Sequence, residues 1–191
     1  MPAKDGASAP QDTPKELAGK ILPTSKSAAL EIASPAFKSG ERLDRRYSAY
    51  GEDISPELRW EKGPEGTKSY ALLMEDPDAA TPKPFVHWIL FNVPADVTDL
   101  REGVPGTAAL ALPEGAMQGT NSRGSVGYFG PRPPADGEHH YHFQLFALDT
   151  TLALKPVTAR KDVIDAMNGH VLAHCEIVGV FKKPAKADDA S

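Results

Sequence analysis

Two stretches, residues 69–76 and 86–93, are apolar on both alternating faces. This predicts central strands covered on both sides, and neither run is long enough for a typical helix. Residues 139–149 also have strand spacing. His139, Tyr141, Phe143, Leu145 and Ala147 fall on one face, and His140, His142, Gln144, Phe146 and Leu148 on the other, both at least half buried. Shorter strands are predicted at 29–33, at 37–41 running into a turn, at 42–47 and at 54–60, with a last strand at 172–181. One clear helix is predicted over 158–169, where Val163, Ile164 and Met167 share a face, Thr158 suits the N-cap and Gly169 the C-terminal stop. From Pro94 the chain is loop-rich through Gly103, Gly106, Gly115, Gly119 and Gly124, and so long an irregular stretch usually covers something or carries function.

Eighteen prolines and sixteen glycines beside a single sure helix place the chain among mainly β proteins, as an antiparallel sandwich or Greek-key arrangement. With 191 residues, one domain over 28–182 is expected, flanked by a flexible N-terminal arm (1–27) and a polar C-terminal tail (183–191). A weak helix near Pro14 to Lys20 would let the arm dock on the body or on a second subunit, and the arm and loops also offer surface for a homodimer.

A net charge of −5 without a basic run argues against nucleic acid as a partner. Cys175 is the only cysteine and lies in an apolar run, which excludes an intrachain disulfide and suits a buried, inert thiol. No stretch of 18 apolar residues exists, so no transmembrane segment is expected. The first residues contain no apolar signal core, which points to a cytoplasmic protein, a mature secreted form being the alternative.

Two polar clusters interrupt the apolar framework. The first is Asp76-Pro77-Asp78 with His87 at the start of the next strand. Two carboxylates at a strand end are commonly turn formers, with Asp78 suited to an Asx-turn, and a lone interior histidine is most often a satisfied core residue. The second is the loop from Gly127 to Pro134 with His139 and Tyr141. Pro131, Pro133 and Pro134 have no N–H, so Gly130 and Arg132 are its available backbone donors, and Gly130 permits close approach to a ligand. A rigid loop with N–H groups beside imidazole and phenol suits a small oxyanion such as phosphate or carboxylate.

Asp76-Pro77-Asp78, His87-Trp88, Gly127-Tyr128-x-Gly130-Pro131-x-Pro133-Pro134 and His139-x-Tyr141-x-Phe143-x-Leu145-Phe146-Ala147-Leu148-Asp149, in this order, resemble the phosphatidylethanolamine-binding protein family. Within that family the chain looks most like the bacterial and archaeal Raf-kinase-inhibitor-like branch, and the resemblance spans about residues 28–182. It implies a Greek-key β-sandwich with a small anion pocket near one end. Asp76, His87, the Gly130 and Arg132 backbone, His139 and Tyr141 would line that pocket, with Asp78 and Pro134 supporting its rim. It further implies a ligand that is a small anion or phosphorylated head group, a protein kinase or protease as partner, and no cofactor, metal or catalytic residue. The chain departs from the family pattern at Ala80, where proline is common, and in the segment 81–85, which lacks a tyrosine or tryptophan at the pocket mouth.

Two other readings remain open. A metal-dependent or acid–base hydrolase would use Asp76, His87 and His139, although no nucleophile elbow, zinc-protease helix or P-loop accompanies them. An inhibitory protein with a vestigial pocket would instead act through the loop from Gly103 to Arg123. For the anion pocket, pairing of an acid with His87 and His139 is expected to raise both histidine pKa values. Anion binding should then strengthen as the pH falls from about 8 to 6.

Overall fold

The computed structural model describes residues 15–134 and 137–185. Among them, β1 (Ile32–Ala33), β2 (Leu58–Trp60), β3 (Ser69–Asp76), β4 (Phe85–Pro94), β5 (Asp99–Leu100), β6 (Met117–Gln118), β7 (Glu138–Leu148) and β8 (Val171–Lys182) form two sheets. The larger has the strand order β6-β4-β3-β7-β8 and the smaller β1-β2-β5, with antiparallel neighbours throughout.

The double-sided apolar pattern has a direct structural cause. One face of the larger sheet sends Tyr70, Leu72, Met74, Trp88, Leu90, Phe143 and Leu145 into a core shared with Leu58, Trp60 and Leu100 of the smaller sheet. The other sends Ala71, Leu73, Ile89, Phe91 and Phe146 against Val163, Ile164 and Met167 of α2 (Arg160–Met167) and against Leu152. All eight positions of β3 are therefore buried. The fold is a mainly β sandwich of antiparallel sheets with one substantial helix near its C-terminal end.

Several local expectations are corrected. Residues 42–47 are not a strand: Arg45–Tyr47 is a 3-10 turn, because the Asp44 side chain accepts the Arg46 N–H at 2.9 Å and offers the backbone a turn instead. Residues 37–41 contain only the turn, and the first strand is confined to Ile32–Ala33. The helix begins after Ala159 rather than Thr158, whose hydroxyl is bound to the Lys155 carbonyl at 2.5 Å. Gly169 does follow the helix with φ +81°, as a C-terminal glycine should.

The arm is also more ordered than its composition suggests. Residues 15–27 lie against the body, with α1 (Ala18–Ile21) carrying a fully buried Ala18 next to a buried Leu22. Few aliphatics are involved, and the hold is mainly polar. Glu75, wholly buried on the helix side of β3, accepts the Ala18 N–H at 2.8 Å and the Gln144 amide at 2.7 Å, and pairs with Arg160. Gln144 accepts the Gly19 N–H at 2.8 Å, and Arg160 reaches the Glu16 carbonyl at 2.8 Å. Residues 1–14 of the expected arm and 186–191 of the tail lie outside the described residues.

Removing one partner of this buried pair leaves an uncompensated charge. The variant Arg160→Met is expected to lose about 3–5 kcal/mol in urea unfolding. The double variant Glu75→Gln/Arg160→Met removes both charges, keeps an acceptor for Ala18 and Gln144, and should recover most of that loss.

Candidate functional site

At one end of the larger sheet a cavity of about 270 Å³ is lined by Asp76, His87, Arg132, Pro134, His139 and Tyr141, with Ala79, Ala80, Thr81, Phe85, Phe129 and Pro133 completing its walls. Strand alternation accounts for most of the polar set. Asp76 continues the Tyr70, Leu72, Met74 side of β3, and His139 and Tyr141 continue the Phe143, Leu145 side of β7. His87 needs a further device. Met74 pairs with Trp88 but Glu75 pairs with Val86, so His87 is the extra residue of a β-bulge. The bulge turns His87 to the pocket, where perfect alternation would have sent it to the helix side.

The strand end is fixed by Asp76. Its Oδ1 accepts the N–H groups of Asp78 at 2.8 Å and Ala79 at 3.2 Å, so the Asx-turn belongs to Asp76 and not to Asp78. Its Oδ2 accepts from His139 Nδ1 at 2.7 Å, a largely buried ion pair when His139 is protonated. Lys15 of the arm donates to the carbonyls of Pro77 and Ala79, holding the same turn from outside.

His87 is 3 % exposed, and its Nδ1 lies 2.7 Å from the Phe129 carbonyl oxygen. A carbonyl only accepts, so Nδ1 carries the proton. Burial pushes the His87 pKa down to about 4, outweighing the Phe129 carbonyl and the Asp76 carboxylate, which act the other way. The expected upward shift of His87 is thus overturned: Asp76 is bonded to His139, and desolvation governs the more deeply buried ring.

The Tyr141 hydroxyl is buried with no hydrogen-bond partner among the described residues. Burial first, then the carboxylates of Asp76 and Asp78, raise its pKa, and the Arg132 backbone N–H acts against them. That N–H falls short of a hydrogen bond to the phenol, so the hydroxyl remains an unused donor on the pocket wall.

Two expected site residues border the cavity without lining it. The Gly130 N–H donates to Asp53 Oδ1 at 2.6 Å, and a Cβ at Gly130 would strike the Tyr47 carbonyl and Asp53. The close approach that requires glycine is to the chain's own 47–53 segment, which leaves Arg132 as the backbone donor of the loop. Asp78 is not part of the cavity lining and accepts both the backbone N–H and Nδ1 of His140 at 2.8 Å. Burial would raise its pKa, but these bonds prevail and lower it.

The loop is held by Phe129 N–H to the His87 carbonyl at 3.0 Å, by Tyr128 Oη to the Tyr47 carbonyl at 2.6 Å and by Tyr50 Oη to the Pro133 carbonyl at 2.8 Å. The sequence reading missed Phe129 as a wall, stacked on His87 at 5.5 Å with the Arg123 guanidinium 4.7 Å above its ring. Its place in the quoted glycine-proline motif was the available signal. His142 pairs with Glu176 at 3.0 Å and His170 with Asp149 at 2.8 Å, both away from the cavity. Burial raises the Cys175 thiol to about 12, consistent with an inert thiol. Among the described residues no group of three or more His, Cys, Asp or Glu is arranged to hold a metal ion, and no helix is long and apolar enough to cross a membrane.

A family model described as phosphatidylethanolamine-binding protein matches residues 33–182. The chain is 44% identical over 154 residues to the UPF0098 protein of Methanothermobacter thermautotrophicus, covering 81% of this chain and 99% of that one. It is 43% identical over 158 residues to the UPF0098 protein of Aquifex aeolicus, covering 82% and 90%. Among solved structures it is similar to E. coli YbcL, described as a member of the mammalian PEBP family, with 35% identity and a TM-score of 0.77 over 82% of this chain and 100% of that one. A phosphatidylethanolamine-binding protein homolog from Chlamydia trachomatis gives 34% identity and a TM-score of 0.74 over 83% and 100%.

The position of His87 makes a pH prediction. Its folded pKa lies below the ordinary value of 6.5, so between pH 6.5 and about 4 the unfolded chain binds the additional proton. Its contribution to stability is complete above 6.5 and is lost as the pH falls through that window, by about 3 kcal/mol in all. In NMR the His87 ring should keep its neutral shifts from pH 8 to about 5, and His87→Gln should flatten the acid limb of the stability curve.

Proposed function

Because the chain belongs to the phosphatidylethanolamine-binding protein family, we propose that it is a binding protein for small oxyanions of the phosphoryl type, seated between the ends of β3, β4 and β7 and the 127–134 loop. The observation that carries this reading is the buried, unpartnered hydroxyl of Tyr141 on the wall of a mostly apolar cavity into which only a few polar groups converge. A buried hydroxyl left without a partner costs about 1–3 kcal/mol, and a ligand oxygen placed beside it removes that cost. The Arg132 N–H adds a second donor. His139 can supply a third through Nε2 when protonated, while its Nδ1 neutralises Asp76.

The apolar remainder of the wall, from Phe85, Phe129, Pro133 and Pro134, limits water and strengthens those few polar contacts. A volume of about 270 Å³ suits a phosphoryl group with a short substituent. The kinase- or protease-regulating role implied by the family likeness fits this reading where the partner presents a phosphoryl group. A second route is favoured by one observation: Leu112, 83 % exposed at the tip of the 109–117 loop, is available to enter a partner's cleft.

Amide NMR titration with phosphate and phosphoethanolamine tests the reading. Saturable shifts are expected at Asp76, His87, Arg132, His139 and Tyr141, and His139→Ala should abolish them. Tyr141→Phe is expected to weaken binding about tenfold or more, the value of a hydrogen bond to a charged group, while leaving the melting temperature unchanged or higher. Leu112→Ser should leave anion binding intact, and loss of partner inhibition in that variant alone would move the function to the loop.

A further inference from the structure

The donor and acceptor pattern of the cavity is uneven, and the unevenness concerns which oxyanion fits. His87 presents two ring nitrogens. Nδ1 is committed as a donor to the Phe129 carbonyl, 2.7 Å away, and the ring is 97 % covered, its remaining exposure opening on the cavity. No described residue donates a hydrogen bond to Nε2, which in the neutral ring bears a lone pair and no proton; the Gly130 carbonyl, which also lies beside the ring, can only accept. Nε2 is therefore an acceptor in a pocket otherwise suited to an anion, whose oxygens are themselves acceptors.

The groups around His87 sharpen this. From β3 it faces the Asp76 carboxylate, from β7 the His139 imidazole and the Tyr141 phenol, and from the loop Arg132, with Arg123 over the outer face of Phe129. Asp76 has Oδ1 occupied by two backbone N–H groups and Oδ2 by His139, so it too offers only lone pairs to a ligand. Tyr141, Arg132 and a protonated His139 can donate, whereas His87 and Asp76 can only accept. A fully ionised oxyanion satisfies the donors and sets its lone pairs against both acceptors. An oxyanion that keeps one hydroxyl satisfies both kinds of partner.

We infer that this pocket selects oxyanions that carry a proton, the monoanions of phosphomonoesters, phosphonates and inorganic phosphate, and rejects fully ionised oxyanions such as sulfate, with His87 Nε2 as the specificity-determining acceptor. The inference rests on the oxyanion reading of the cavity and adds the charge state of its ligand. It also relocates the pH dependence: binding strengthens at lower pH because the ligand takes up a proton, not because His87 does.

The test is a competition series on the full chain, by NMR titration or calorimetry between pH 5.5 and 8, with inorganic phosphate, methyl phosphate, methylphosphonate and sulfate. Sulfate, of similar size and shape, has no proton in this range. Phosphate is expected to bind at least about tenfold more tightly than sulfate at pH 6. Methyl phosphate, with a second ionisation near about 6, and methylphosphonate, which ionises at higher pH, should each gain affinity as the pH falls through the ligand's own second pKa. Two separated midpoints are the signature. His87→Gln, whose amide can turn a donor into the cavity, should bring the phosphate-to-sulfate ratio towards one. Equal affinity for phosphate and sulfate, or a single midpoint shared by every ligand including sulfate, overturns the inference and assigns the pH dependence to a protein group. Absence of shifts with all four anions overturns the oxyanion reading itself, and this selection with it.

Discussion

At its centre the larger sheet is covered on both faces, and every polar side chain buried there must find a partner without help from bulk water. That constraint organises the polar groups at its centre. Glu75 turns to the helix side and is met by Arg160, Gln144 and the Ala18 N–H. Asp76, the next residue, turns to the sandwich side and is met by His139 and two turn N–H groups. Gln118 takes the Trp88 indole and donates to the Pro105 and Thr107 carbonyls, and His87 is met by the Phe129 carbonyl. Against so complete an accounting, the Tyr141 hydroxyl and the second ring nitrogen of His87, to which no described residue donates, stand out. Both lie on one cavity, so the unsatisfied capacity of the sheet is concentrated where a ligand can use it.

Much of this was legible in the residue pattern. The unbroken apolar runs of β3 and β4 announced a two-sided burial, and the alternation of β7 separated His139 and Tyr141 from His140 and His142, as the structure places them. The helix face made of Val163, Ile164 and Met167 was readable for the same reason: period and burial are local properties. The likeness to a known family located six of the cavity's lining residues from short motifs, among them Asp76, His87 and Arg132.

What could not be read depends on contacts between distant parts of the chain. A glycine announces a close approach but not its partner. At Gly130 the partner is the 47–53 segment, some eighty positions away, and the N–H expected for a ligand is used by Asp53. The bulge at His87 is invisible in a run that is apolar on both sides, because either orientation of the ring satisfies the pattern. The order of residues 15–27 was hidden differently. Composition counts aliphatic side chains, whereas this segment is held largely by its backbone N–H groups on Glu75 and Gln144. The sign of the His87 shift was missed because proximity to an acid was weighed without the cost of burial, which is the larger influence.

The adjacency of Glu75 and Asp76 joins these observations. Successive residues of a strand face opposite ways, so two carboxylates one peptide apart serve two layers: Glu75 fastens the arm and α2, Asp76 fastens the turn and His139 at the cavity. The arm then returns to the cavity from outside, where Lys15 donates to the carbonyls of Pro77 and Ala79, in the turn whose residues Ala79 to Thr81 form one wall. This segment precedes the span matched by the family model, which begins at residue 33. The end of β3 is thus fixed from both faces, by side chains within the matched span on the cavity side and by the preceding segment on the other. A wall so fixed presents Asp76 as an acceptor in a set place, and the proposed discrimination among ligands of nearly equal size by one hydroxyl and one ring nitrogen depends on that fixity.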